Sequence, residues 1–249
     1  MSTVRRNPRK QWAAVVLLVA VGLVCARLGL WQLHRAEQSR TVIDGFAAAA
    51  AAEPLRDLPS RASDGVRYRR IELEGHYVPQ RQFLIDNVVQ DGEVGYYVLT
   101  PFAPLDSDRW VIVNRGWVPA PPLRAVRPVV PVETARRSIS GRLAALPSPG
   151  LRLGKPAPDN ANDPLPLLSY PTMADLEQRL GKTLFGFQVE LDADRPDGFK
   201  REWSAPVVMS PARHLGYVGQ WWAFAAIAFG IAVVLGLREL RSPSGLERS

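Results

Sequence analysis

Cysteine is nearly absent: Cys25 is the only one in 249 residues, and it stands inside an apolar run. No disulfide can therefore brace the rest of the chain, and no cysteine pair exists to hold zinc, copper or an iron–sulfur cluster. The plain reading of Cys25 is a small buried apolar residue. A lipoprotein reading would need a small residue before it, and Val24 is bulky. Histidine is also scarce, since His34, His76 and His214 lie far apart with no metal-ligand spacing. Copper(I) usually takes Cys and Met, and the middle of the chain offers only Met173 and Met209. Copper delivery is therefore a weak reading. No nucleophile elbow, Walker loop, dinucleotide fingerprint or internal repeat occurs. A catalytic triad would have to be assembled by assuming a fold, so the expectation is a protein that is not an enzyme.

Charge is abundant but uneven. The chain carries a net +7, yet Arg5, Arg6, Arg9 and Lys10 crowd one terminal segment, and Arg238, Arg241 and Arg248 lie in the other. The middle is close to neutral. The basic excess does not read as a nucleic-acid surface, so no nucleic-acid partner is expected.

Two apolar runs are present instead, from about Trp12 to Leu33 and from about Tyr217 to Leu237. Each reaches the roughly 20 residues that a bilayer-crossing helix needs. Lys and Arg flank the outer ends of both, and such residues stay cytoplasmic. The expected layout is a cytoplasmic tail (1–11), a first span (12–33), an extracytoplasmic domain (34–212), a second span (213–237) and a second cytoplasmic tail (238–249). The first span also resembles a signal peptide in its basic start. Its apolar run is too long for that, and no small-x-small cleavage site closes it. The expected location is a bacterial inner membrane, with the domain periplasmic and membrane lipid as a partner.

Between the spans, about 180 residues suffice for one domain with its own core. Residues 35–52 read as helix, with an alanine run ended by Pro54. Strand-like alternation follows at 68–75, 82–89, 95–102, 109–118 and 136–145. Turn signals stand at Val78-Pro79, Asp91-Gly92, Pro101 and Pro104. The stretch Pro147–Pro171 is rich in Pro, Asn and Asp and reads as a long surface loop. Residues 171–181 read as one short helix with Thr172 as N-cap, Asp175 in the first turn and Gly181 closing it. Strand returns at 183–191. The expected fold is a membrane protein in which two transmembrane helices flank a β-rich α+β domain, an antiparallel sheet or barrel.

On the second span, His214, Tyr217 and Trp221 recur at helical spacing. Neutral imidazole can ligate haem iron and flat aromatics can line a porphyrin. An interfacial aromatic belt would need no ligand, and periodicity does not separate the two. Ala226 with Gly230, and Ala228 with Ala232 and Gly236, have the small-xxx-small spacing of close helix contacts. Arg27 is a charge within the first span, four residues before Trp31. It either faces a partner such as that ring or reaches out to the surface.

Four strings, in order, resemble the surfeit-locus family of cytochrome c oxidase assembly proteins. They are Leu28-Gly29-Leu30-Trp31-Gln32-Leu33-His34-Arg35, Gly95-Tyr96-Tyr97-Val98-Leu99-Thr100-Pro101-Phe102, Val113-Asn114-Arg115-Gly116-Trp117-Val118-Pro119, and His214 through Trp222. The resemblance covers nearly the whole chain and implies an assembly factor that binds haem a transiently. It would help place the haem in the large subunit of a haem a-type oxidase, with the haem a synthesis enzyme as a further partner. Carried over by motif, His214 is the iron ligand, with His34 as the alternative. Tyr217, Trp221, Trp31, Gln32, Arg35, Arg115 and Trp117 complete the expected site. Arg115 is expected to face the membrane side and pair with an acidic group such as a haem propionate. Gly219 stands where a slightly larger apolar residue would fit the family pattern. A membrane-anchored interaction module without a cofactor is the alternative from another class, and a membrane-tethered enzyme a more remote one.

Overall fold

The computed structural model describes residues 8–59, 65–123, 126–147 and 163–241. The chain divides into two compact units, Met1–Gly45 with Ala205–Ser249 and Phe46–Ser204.

The first unit is a pair of long helices. Helix α1 (Pro8–Ala51) has 44 residues, about 66 Å at 1.5 Å per residue. It fuses the span and the helix that the sequence reads as two stretches. Nothing between them breaks the backbone pattern, and side-chain links one turn apart reinforce the junction. Arg35 donates to Gln38 Oε1 at 3.0 Å, and Gln38 Nε2 meets His34 Nε2 at 3.0 Å. The last helix of the chain runs from Pro211 to Arg241. Ser210 precedes it and accepts from the Arg213 amide at 3.4 Å, while proline takes the first helical position, where its missing N–H costs nothing. The most apolar windows of the two helices have mean hydropathies of 2.5 and 1.9, and each helix is long and apolar enough to cross a membrane.

The second unit is a barrel. Its strands are β1 (Arg70–Tyr77), β2 (Phe83–Gln90), β3 (Glu93–Pro104), β4 (Trp110–Pro119), β5 (Arg137–Ala144), β6 (Leu167–Leu168) and β7 (Leu184–Leu191), with helix α2 (Met173–Leu180) before β7. The order β1-β5-β7-β4-β3 closes on itself through a β1–β3 pairing, and β2 and β6 extend the sheet beyond β3. The pairing is mixed rather than purely antiparallel: β4–β7 and β2–β6 are parallel. Between β4 and β7 the chain passes through β5 and α2, the length of connection a parallel return requires.

Closure depends on close backbone approach. At Gly75, opposite Pro104, any Cβ would run into the Ala103 carbonyl and the Phe102 ring. The β2–β3 hairpin turns on Asp91-Gly92, both at positive φ (50° and 81°), which is the backbone of a type I′ turn.

Pro101 is no turn: it lies inside β3. Its carbonyl accepts from Val78. In an extended strand a residue's N and O face the same edge, so its missing N–H points there too. That is the point where β3 leaves β2 (Leu99 opposite Phe83) and takes up β1 (Phe102 opposite Tyr77), so no ladder bond is lost.

Alternation sorts the core. From β4, Val111 and Val113 join the cluster of Tyr77, Phe102, Phe187 and Leu191. Ile112, between them, packs instead with Leu176 and Leu180 of α2. Both faces of β4 are covered, which is why its pattern is apolar throughout. α2 has the expected caps. Thr172 Oγ1 accepts from Asp175 N, the Asp175 carboxylate accepts from Thr172 N, and Gly181 closes the helix at φ 63°. Of the stretch expected to be a surface loop, residues 148–162 lie outside the described residues. Its end is not surface, because Leu165 and Leu168 are buried and β6 pairs with β2.

Candidate functional site

The buried positions are Gly22, Cys25, Gly29 and Ala36 on α1 and Val218, Ala225, Ala228 and Ala232 on the last helix, α3 (Pro211–Arg241); the half-buried Gln32, His214 and Trp221 continue these two sets. Both sets recur at alternating steps of three and four, which keeps one stripe in register with a partner helix. Small residues let the backbones approach. The helices run antiparallel: a Cβ at Gly29 would strike Trp222, and one at Gly22 would strike Phe229. Farther toward the outer ends, the Gln11 amide faces the Glu239 carboxylate. The small residues used are Ala225, Ala228 and Ala232. The Ala226 and Gly230 pair faces outward. Gly219 is also exposed, with nothing within 4 Å of a Cβ built there, so a larger residue there has open space.

His214 sits on this seam. Its Nδ1 lies 2.7 Å from Gln32 Oε1, a contact that bridges 182 positions of sequence. The rings close in sequence to Gln32 and His214 are open. Trp31 is 52 % and Tyr217 40 % exposed, and Trp221 is half-buried, edge-on to Phe224 with centroids 6.0 Å apart. The Arg35 guanidinium stands over Trp31 at 5.8 Å. The cation on that ring is therefore Arg35, and Arg27 is exposed. His34 points elsewhere, 67 % exposed, toward Glu37 at 3.8 Å and Gln38. His76 is exposed on β1 of the barrel.

Arg115 and Trp117 belong to the other unit, and both are enclosed there. Arg115 is 1 % exposed. Its Nε donates to the Asp197 carbonyl at 2.6 Å, one terminal nitrogen to the Pro131 carbonyl at 2.6 Å and the other to Gln82 Oε1 at 2.9 Å. Thr100 donates to that same Gln82 oxygen at 2.8 Å, and Gln82 Nε2 donates to the Val130 carbonyl at 3.0 Å. The rings of Phe199 and Tyr77 lie 5.0 and 5.7 Å from the guanidinium. Every oxygen it meets is neutral, so the expected pairing with an acidic group gives way to a carbonyl cage. Burial lowers its pKa to about 10, and burial raises that of Tyr77 to about 12. Trp117 is 6 % exposed and donates to the Val88 carbonyl at 2.9 Å; it is packed inside the barrel unit.

A second, half-buried group had no signal in the sequence. Glu190 on β7 faces Arg142 on β5, Nε to Oε2 at 3.9 Å, and burial lifts its carboxyl to about 7 against the opposing pull of Arg142. Arg142 in turn lies 4.4 Å from the Phe46 ring. Only the strand register puts these residues together. Among the described residues, no three His, Cys, Asp or Glu gather as a metal site.

A family model described as the SURF1 family matches residues 19–226. Among curated relatives, the chain is similar to the cytochrome oxidase assembly protein SHY1 of Saccharomyces cerevisiae, 27 % identical over 106 residues that make up 41 % of this chain and 27 % of the yeast protein. It is similar to surfeit locus protein 1 of Takifugu rubripes, 30 % identical over 39 % of this chain and 47 % of that protein. It is also similar to a SURF1-like protein of Monosiga brevicollis, 29 % identical over 47 % of this chain and 49 % of that protein. The matched segments thus span less than half the length of each of these relatives.

Proposed function

The chain belongs to the SURF1 family, and we propose from that membership that it serves the assembly of a haem a-type cytochrome c oxidase. It receives haem a from the synthesis enzyme, holds it at the helix pair, and helps place it in the large oxidase subunit. It catalyses nothing. The helix pair crosses a bacterial inner membrane among its lipids, and the barrel stands on the periplasmic side. The name of the yeast relative, a cytochrome oxidase assembly protein, supports the pathway.

The observation that carries the haem reading is His214. One ring nitrogen is anchored to Gln32, and half-open aromatic side chains stand close in sequence to both residues. An imidazole with one nitrogen tied back is the kind of donor that haem iron takes. A bound haem a would supply a Lewis-acidic iron. His214 would hold it through a ring-nitrogen lone pair, with Gln32 bearing the other side of the ring. Trp31, Tyr217 and Trp221 offer apolar surface, and Arg35 is a cation suited to a propionate. A single ligand on an accessible seam suits a carrier that must release its cargo. Arg115 and Trp117, closed into the barrel, stand outside this set.

The test is a visible spectrum. The protein is co-expressed with a haem a synthesis pathway and purified in detergent. A haem a band should be present, should fall sharply in His214→Ala, and should persist in His76→Ala and His34→Ala. A folded His214→Ala protein with its full haem a would refute the assignment. Haem lost only in His34→Ala would move the ligand to α1, and a colourless wild-type protein would favour an interaction module without cofactor.

A further inference from the structure

Each of two histidines in the helix pair touches a glutamine, and the two contacts have opposite polarity. Around His34 the chemistry is forced. Arg35 has no acceptor atom, so the Gln38 atom at 3.0 Å from it is the amide oxygen. The Gln38 amide nitrogen is then left to donate to His34 Nε2 at 3.0 Å. That donation consumes the Nε2 lone pair, and the remaining nitrogen, Nδ1, faces the Glu37 carboxylate at 3.8 Å.

Around His214 the arrangement is inverted. An amide oxygen, Gln32 Oε1, lies 2.7 Å from Nδ1. An amide oxygen only accepts, so with the Gln32 amide in this orientation the proton of the neutral ring belongs on Nδ1 and Nε2 keeps its lone pair. Gln32 is moreover the single polar residue in a stripe of Gly22, Cys25, Gly29 and Ala36. A polar amide in such a seam is costly unless bonded, so the contact has a reason to persist.

We propose that Gln32 is a positioning residue for His214: it fixes the Nδ1–H tautomer and so presents Nε2 as a bare nitrogen donor, which His34 cannot offer. The identity of the metal centre that Nε2 meets rests on the haem reading above, whereas the tautomer rests on the contact and the orientation of the Gln32 amide. An acceptor on the far nitrogen of a histidine ligand also makes it more electron-donating. Gln32 should therefore hold down the reduction potential of a bound porphyrin iron.

Two measurements on the full-length protein in detergent test this. The first is nitrogen NMR of histidine-labelled, haem-free protein at alkaline pH, with His34→Ala and His76→Ala to assign the signals. The second is titration with ferric protoporphyrin, read by absorption and by the midpoint potential. In the wild type, His214 should show a protonated Nδ1 and a bare Nε2. Gln32→Leu should move it toward the Nε2–H form usual in water, weaken porphyrin binding about tenfold or more, and raise the potential. Gln32→Glu keeps an acceptor, so it should retain the tautomer and lower the potential. If Gln32→Leu does not fold, the sign of that last shift decides. A bare Nδ1 in the wild type overturns the proposal, as does Gln32→Leu with unchanged tautomer, affinity and potential. A wild type with the stated tautomer that binds no porphyrin upholds the role of Gln32 and overturns the haem reading instead.

Discussion

Arg115 is a cation without a carboxylate, and its energetics follow from that. Removing the guanidinium takes the donor from the part-buried Asp197 and Pro131 carbonyls and leaves the Gln82 amide oxygen with Thr100 alone, at a cost of about 3 kcal/mol. Arg115→Ala should therefore unfold at markedly lower denaturant than wild type, and Arg115→Lys should rescue little, because an ammonium lacks the planar fork that spans three separated oxygens. Haem a per folded molecule should not change. Unchanged stability with lost haem would return Arg115 to a propionate role. Glu190 makes a pH prediction. Its carboxyl titrates at about 7 in the fold against an ordinary 4.5, so the folded state binds the extra proton between those values. Stability then falls as pH rises from about 4.5 to 7 and stays lower above, by at most about 3 kcal/mol from this group. Arg142 faces it, and the Tyr68 and Tyr97 hydroxyls feel its charge. Glu190→Gln should flatten the dependence of the unfolding midpoint between pH 5 and 8. An equally steep dependence in the variant would show that another group is responsible.

At the scale of elements, what could be read in the sequence was what local chemistry decides. The α2 caps are set by residues three apart, Thr172 and Asp175, and by Gly181, which alone tolerates the left-handed turn at no cost. Asp91-Gly92 sets its hairpin for the same reason. The strands around it alternate as their two faces require. What could not be read depends on partners distant in sequence. Pro101 looks like a turn until one knows that β3 changes neighbours there. β6 has two residues and no period to detect, and its place comes from the edge of β2. Barrel closure rests on Gly75 meeting β3, and the parallel β4–β7 pair rests on the path of the intervening chain. The candidate site divides the same way. Spacing puts His214 and Trp221 on one face of α3, and the motif resemblance brings in Gln32. The direct bond between Gln32 and His214, and the enclosure of Arg115, required the fold.

For the whole molecule, the decisive question is which way the helix pair points. The pair is antiparallel, with Gly29 against Trp222, Gly22 against Phe229 and Gln11 beside Glu239. The outer ends of α1 and α3 therefore lie at one end of the pair, and the basic residues Arg9, Lys10, Arg238 and Arg241 cluster there. His214, Gln32 and the open rings of Trp31 and Tyr217 lie at the other end. Between them the exposed side chains are largely apolar, Arg27 apart, among them Val16 and Leu17 at 66 % and 65 % and Ile227 and Val233 at 58 % each. A surface of that kind needs lipid or another apolar cover. Lys and Arg beside a span hold their end in the cytoplasm, so the basic end should be inside and the His214 end at the outer face. Alkaline phosphatase, active only outside, can be fused after Pro147 in the barrel unit and after Ser249. Activity is expected at Pro147 and not at Ser249. Substituting Arg9, Lys10, Arg238 and Arg241 with glutamine should erode that contrast, because the bias rests on those charges. Activity at Ser249 in the unaltered protein would mean that α3 does not return to the cytoplasm, and His214 could not then stand at the outer face.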